Sequence, residues 1–270
     1  MKRALPVLSL VLLVGALAAC APAKPQPAPP TTAQGFDTCA APSTTTMQTW
    51  WTSSPYTSVG VYVGGANRGC AQPNLTKAWV DTVTAQGWGL VPIWVGPQAP
   101  CTTLGSTTKI VGDDYYATIS GLVEGDAAAD RLTALGFTWL APVYYDMEAY
   151  PRSTDCSRQV RLFSEGWVYA LNARGFSAGF YSSQCSGILD LENQLPATRY
   201  VMNHIWIAAW NNTPNIFGFQ SGSCSINDAH WANHQRLHQF EGGHDESWGS
   251  VTVNIDSNAV DGATYTRSPS

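Results

Sequence analysis

The sequence predicts an α/β fold, a single (β/α)8 barrel of the TIM type with irregular last units, and three observations predict it. Eight short strand-like runs follow one another from Gly35 onward, and helical patterns separate most of them. The clearest helical patterns each run into a glycine, the residue that most readily ends a helix in the left-handed conformation. Two strand-like runs alternate an apolar face with a face that carries carboxylates, as strands do when one side packs under helices and the other lines a polar mouth. A chain of 270 residues is long enough for one such barrel.

Lys2 and Arg3 precede an apolar run, Ala4 to Ala19, which is short for a membrane span and ends Leu17-Ala18-Ala19-Cys20. This stretch resembles the bacterial lipoprotein signal, with residues 1–19 removed and Cys20 as the lipid-bearing new N-terminus. A plain secretory peptide cut near Ala19 or Ala21 is the alternative, and either takes the mature chain out of the cytoplasm. Residues 20–34 are Pro-rich and polar, with nothing to bury, and read as an extended tether. Residues 35–265 then form one domain without internal repeats, expected to be a monomer.

The expected strands are Gly35–Thr38, Val59–Gly64, Leu90–Gly96, Leu140–Glu148, Phe176–Ser182, Ile205–Trp210, Arg236–Phe240 and Val251–Asn258. The expected helices are Asn74–Gln86, Tyr115–Leu135 and Ser157–Arg174, closed by Gly87, Gly136 and Gly175. Asn211–Cys224 and Gly242–Gly249 read as loops. Strand followed by helix argues for parallel strands throughout.

Lys and Arg total 14 against 19 Asp and Glu, a net charge of -5, and no basic cluster follows residue 3. That excludes a nucleic-acid partner. Eleven Trp and eleven Tyr supply many flat faces on which sugars stack, although core filling is the plainer use of any one of them.

Of seven cysteines, Cys20 belongs to the anchor and six remain, enough for three disulfides in an oxidising compartment. Cys39, Cys70, Cys101, Cys156, Cys185 and Cys224 each fall shortly after one of the first six strands, on one rim of the barrel. Adjacent rim loops can meet, which pairs Cys39 with Cys70, Cys101 with Cys156, and Cys185 with Cys224.

In the fourth strand, Pro142, Tyr144, Asp146 and Glu148 share one face, and Ala141, Val143, Tyr145 and Met147 share the other. Two acids two residues apart at a strand end suit the unequal carboxyls that flank a scissile glycosidic bond. Asp37 ends the first strand. The last strand turns Val251, Val253 and Ile255 outward and Thr252, Asn254, Asp256 and Asn258 inward. Closure makes the first and last strands neighbours, so Asp37 and Asp256 lie side by side, with Asp146 and Glu148 across the mouth. Clustered carboxylates raise one another's pKa, as a general acid requires. The plainer readings are that Asp256 binds its Asn254 and Asn258 surroundings and that Asp37 caps the first loop. Tyr62, Trp94, Tyr144, Tyr181, Trp210 and Gln239 are the expected sugar contacts.

Gly35-Phe36-Asp37, Asp146-Met147-Glu148, Gly179-Phe180-Tyr181, His238-Gln239-Phe240 and the closing run from Asn254 to Gly262 together resemble the glycoside-hydrolase-like domain known as domain of unknown function 1906. That family is similar to the lysozymes of glycoside hydrolase family 25. The resemblance spans about residues 35–263 and implies a glycan substrate of the cell wall or surface, a polysaccharide or a peptidoglycan-type glycan. It implies Glu148 as general acid, and Asp146 as the group that steadies an oxazolinium-like intermediate or orients an acetamido group. Asp37 and Asp256 would complete the acidic pocket. Thr38-Cys39 stands where the lysozymes carry Ser, and His238-Gln239-Phe240 where they show a Trp-Gln-Tyr type of sequence. A noncatalytic glycan-binding or envelope-organising protein on the same scaffold is the alternative.

His230, His234 and His238 are spaced by four, but no Glu follows His230 as in a metalloprotease helix, and His238 falls in the seventh strand. No metal site is expected. Nor is a cofactor, since neither a Gly-rich phosphate loop nor a Ser-His-Asp order is present.

Overall fold

The computed structural model describes residues 32–220 and 222–267. The expected signal 1–19, the anchor Cys20 and most of the tether lie outside them. The strands are β1 (Ala33–Asp37), β2 (Tyr56–Gly64), β3 (Gly89–Trp94), β4 (Pro142–Asp146), β5 (Ser177–Ser183), β6 (His204–Ala208), β7 (Arg236–Trp248) and β8 (Val251–Asp261). They close into one barrel in sequence order. The helices are α1 (Thr44–Ser53), α2 (Lys77–Gln86), α3 (Asp114–Ala134), α4 (Thr154–Ala173) and α5 (Leu189–Gln194), the last preceded by a π-helical turn at Gln184–Ile188.

Local chemistry accounts for the helices. Ser43, Thr76, Asp113 and Ser153 each accept a hydrogen bond from a backbone N–H of the following first turn. Gly87, Gly136 and Gly175 follow α2, α3 and α4 at φ of 114°, 81° and 79°. Helix α1 has no sequence signal of that strength. Its run TTTMQTWWTS has low helix propensity, and burial of Met47 and Trp50 together with the Ser43 cap holds it.

The core has two layers. Between sheet and helices pack Val59, Val61, Val63, Trp88, Tyr145, Phe163, Trp167 and Phe180. Inside the barrel pack Val91, Ile93, Val95, Tyr144, Trp206, Leu237 and Val260. The Trp206 ring meets Tyr144 and Tyr181 edge-on at 5.7 and 5.1 Å between centroids.

The expectation of parallel strands throughout fails at β8, which runs antiparallel to both β7 and β1. Only Gly249 and Ser250 separate β7 from β8, both at positive φ (54° and 65°), as a two-residue hairpin turn requires. A parallel return needs a crossover of a dozen or so residues. The stretch Gly242–Gly249, expected as a loop, is therefore mostly strand. Beyond Gln239 strand β7 pairs with β8 alone, so the hairpin extends past the rim, and its tip is tied to α1 by the Trp50 indole N–H donating to the Val251 carbonyl (3.1 Å).

Among the described residues no helix lies over the start of β7. Its outward residues there are Arg236 and His238, and residues 211–220 and 222–235 lie over them. Buried Arg236 donates to the carbonyls of Ile216, Asn227 and His230 and pairs with Asp228. The His238 ring nitrogens lie 2.7 and 2.8 Å from the carbonyls of Asn215 and Ala209. One guanidinium thus does for this loop what helix packing does elsewhere. Arg236→Met is expected to lower stability by about 3 kcal/mol, through the carbonyls of Ile216, Asn227 and His230 left without a donor. It should also open residues 211–235 to limited proteolysis; an unchanged melting temperature and digestion pattern would refute this role.

Candidate active site

Four acids converge where β1, β4 and β8 reach the C-terminal end of the barrel. Asp37 and Asp256 are register partners across the β1–β8 seam, and their carboxyls hydrogen-bond to one another. Asp37 is buried and saturated. Its Oδ2 accepts from Asn258 Nδ2 (2.8 Å) and Gln239 Nε2 (3.1 Å), and its Oδ1 accepts from the Tyr62 hydroxyl (3.4 Å). Burial, followed by the charge of Asp256, pushes the Asp37 carboxyl up to about 8, so it keeps its proton at neutral pH. Space for it comes from Gly60, where a Cβ would sit 2.5 Å from the Cβ of Asp37.

Gln239 extends this network across the mouth. Its Oε1 accepts from the Tyr181 hydroxyl (2.8 Å) and from the Trp210 indole N–H (2.9 Å), which leaves its amide nitrogen to face Asp37. Asn258 is fixed in the same way, its Oδ1 accepting from the Trp206 indole (2.8 Å). Burial, then the surrounding acids, holds the Tyr62 and Tyr181 phenols well above their usual range, so both remain donors.

Asp146 lies on the β4 side, 5% exposed, and its Oδ1 has no protein partner. Burial, then Glu148 and Asp37, raises its carboxyl well above the usual range. Glu148 stands at the open edge, where its side chain reaches solvent. The protein around its carboxyl still removes enough water, with the charge of Asp256 adding to the effect, to raise its pKa as well. Asp256 is raised by burial, which the Asp37 hydrogen bond, the Gly243 N–H and the charge of His244 oppose. Of the four, Asp256 has the most groups that favour its charged form.

Buried Gln98 fixes the backbone between the two β4 acids. Its Nε2 donates to the Asp146 carbonyl and its Oε1 accepts from the Glu148 N–H, both at 2.8 Å. The sequence offered no signal for it, as one glutamine after β3 has no distinguishing neighbours. Beside Glu148 opens a cleft of about 420 Å³, lined by Tyr181, Ser183, Gln184, Ala208, Ala209 and Trp210 among others. Trp210 is 68% exposed, with its ring packed on Gly242 and its indole N–H held by Gln239. It forms a fixed aromatic wall.

Two residues expected at the mouth lie elsewhere. Strand β3 turns Val91 and Ile93 inward, as does Val95 just after it, so Trp94 faces the helix layer, where its indole N–H donates to Glu124 of α3 (2.6 Å). Tyr144 points into the barrel as expected, but it sits one inward position below Asp146. Its hydroxyl donates to the Ala263 carbonyl (3.1 Å) at the opposite end, and the ring belongs to the core. Tyr62, Tyr181, Trp210 and Gln239 do come together around the acids.

The six rim cysteines form the bonds Cys39–Cys70, Cys101–Cys156 and Cys185–Cys224. The third ties the π-helical turn that lines the cleft to the loop over β7. His230 meets Glu192 and His234 meets Asp261, so with His238 the three histidines face separate partners.

The family model described as the Rv2525c-like, glycoside hydrolase-like domain matches residues 48–260. No curated protein matches significantly by sequence. Among solved structures, an uncharacterized B. stearothermophilus protein is 15% identical with a TM-score of 0.56, over 84% of this chain and 95% of that one. The Mycobacterium tuberculosis Tat-secreted protein Rv2525c, solved with L-tartrate, is 14% identical with a TM-score of 0.57, over 85% and 96%. The Clostridium perfringens spore cortex lytic enzyme SleM is 14% identical with a TM-score of 0.52, over 87% and 69%. At such identities these likenesses speak for the fold alone.

Because Asp37 binds its proton more tightly in the folded chain than in the unfolded one, it withdraws stability as pH rises from about 4 through about 8. Asp37→Asn reproduces the protonated carboxyl, with its oxygen toward Gln239 and Asn258 and its NH2 toward Asp256. The variant is expected to show a shallower fall in melting temperature over that range than the wild type. Equal falls in the two proteins would show that Asp37 carries no held proton.

Proposed function

The chain belongs to the Rv2525c-like, glycoside hydrolase-like domain family, and from that membership we propose that it is an exported hydrolase of a cell-wall or surface glycan. The observation that carries this reading is the buried Asp146 Oδ1, which lacks a protein partner beside a carboxyl with raised pKa at the edge of a cleft. A buried polar atom is left unpaired at a cost, which a ligand group or an ordered water relieves.

In this reading Glu148, its pKa raised by burial and by Asp256 and its carboxyl open to the cleft, donates its proton to the glycosidic oxygen. Asp146 holds a polar substituent of the sugar beside the scissile bond, such as an acetamido group. Trp210 offers its face to a neighbouring sugar ring, and Gln239 keeps that face from turning. Asp256 is the negative charge that faces the positive charge developing on the sugar. Asp37, with both oxygens already engaged, organises the mouth without touching substrate. Its saturation is also what favours the second reading, a noncatalytic glycan-binding or envelope-organising protein, since one of the four acids is committed to the scaffold.

Export accords with the three disulfides, which belong to an oxidising compartment. The same reading takes residues 1–19 as signal, Cys20 as lipid anchor, 20–34 as tether and 35–265 as the acting domain, working as a monomer.

Incubation with purified wall polymers, followed by assay of released reducing ends, tests the proposal. Glu148→Gln is expected to lower release by about 100-fold or more with unchanged melting temperature and polymer binding. Undiminished release by the variant would reject Glu148 as the acid. A wild-type chain that binds polymer and releases nothing would favour the second reading.

A further inference from the structure

At the N-terminal end of the barrel, opposite the acids, a tight turn before β4 exposes Trp139 by 74% and Leu140 by 64%. Leu140 adopts φ of 65°, held by its N–H donating to the Gly175 carbonyl (2.8 Å). A left-handed leucine is strained, and such strain persists where another requirement overrides it, ligand clamps among them. Burial of the leucine supplies no such requirement, because its side chain is exposed. The turn instead presents the indole. Trp139 rests on Gly175, where a Cβ would lie 2.3 Å from its ring atoms, so a side chain there would displace the ring.

Beside the indole runs a groove of about 550 Å³ lined by Thr138, Leu140, Thr264, Thr266 and Arg267. The segment after β8 forms its far wall and is pinned by the reciprocal backbone bonds of Tyr265 with Leu90 (2.7 and 2.8 Å). Arg267 pairs with Asp81 and donates to the Gly136 carbonyl, so the groove carries a guanidinium whose charge is already balanced.

We propose that this groove is a second glycan-binding site, with Trp139 as its stacking platform and a neutral oligosaccharide chain as its ligand. A sugar ring has one apolar C–H face and a belt of hydroxyls, and the groove offers one aromatic face beside hydroxyls and a neutralised guanidinium. A polyanion finds no free cation here, and the chain's net charge of -5 opposes it. A lipid surface needs a wider apolar area than two side chains beside threonines. The site rests on the proposed glycan specificity for its choice of ligand. Because it lies at the other end of the barrel, it can hold a polymer while the cleft acts.

The test titrates the 15N-labelled full chain with the β-1,4-linked hexamer of N-acetylglucosamine and follows indole N–H signals, identified with Trp139→Phe and Trp210→Phe. The expected result is a saturable shift of the Trp139 indole and of the Gly175 amide. In Trp139→Ala the Gly175 shift should need about tenfold more ligand, while the Trp210 indole responds as in the wild type. A shift at Trp210 without one at Trp139 or Gly175 overturns this site and leaves the cleft reading intact. A shift at Trp139 without one at Trp210 supports this site and counts against the cleft. Silence at both indoles overturns this site, as does a Trp139 response to phosphatidylglycerol vesicles in place of the hexamer.

Discussion

A protonated carboxyl at the seam where the barrel closes is the constraint on which the mouth depends. Asp37 sits on the first strand, and besides Tyr62 of β2 the groups that hold it come from the last two: Gln239 from β7, and Asn258 and Asp256 from β8. Closing the sheet and building the site are therefore one event. The network continues from Gln239 to Tyr181 on β5 and to Trp210 beyond β6, so the aromatic wall of the cleft is oriented from the seam. Deprotonating Asp37 would set its charge against Asp256, in a setting where buried like charges are costly.

The antiparallel β8 makes this arrangement possible. Because β8 descends from the rim, Asp256 and Asn258 fall level with and just below Asp37, and the hairpin above the rim brings Gly243 and His244 to Asp256. The irregular last third of the barrel is a consequence. Without a crossover between β7 and β8, the outward face of β7 is covered by a loop organised on Arg236 and His238. That loop begins just past Trp210 and is cross-linked through Cys224 to the cleft wall, so scaffold and site share the same residues.

Strand parity was legible where the alternation was strong. Asp146, Glu148 and Asp256 could be placed from it, because apolar and acidic residues alternate cleanly in their runs, and Asp37 followed from its place at the end of the first strand. Strand β3 reads as a continuous apolar run, buried on both faces, so nothing in it showed that Trp94 faces out. Parity also carries no depth, which is why Tyr144 shared a face with Asp146 yet belongs to the core. The direction of β8 had a signal, the absence of any helical segment around Gly249-Ser250, but the repeating strand-helix pattern outweighed it. Gln98 acts through two backbone contacts, and no pattern of residue types encodes those.

The most direct measurement is a carbon-13 NMR titration of the aspartate carboxyls, with Asp37 assigned by its loss in Asp37→Asn. Asp37 is expected to titrate near pH 8, with Asp256 ionising before it. A midpoint for Asp37 in the ordinary carboxylate range, below about pH 5, would contradict it: the seam would then hold two like charges and no shared proton.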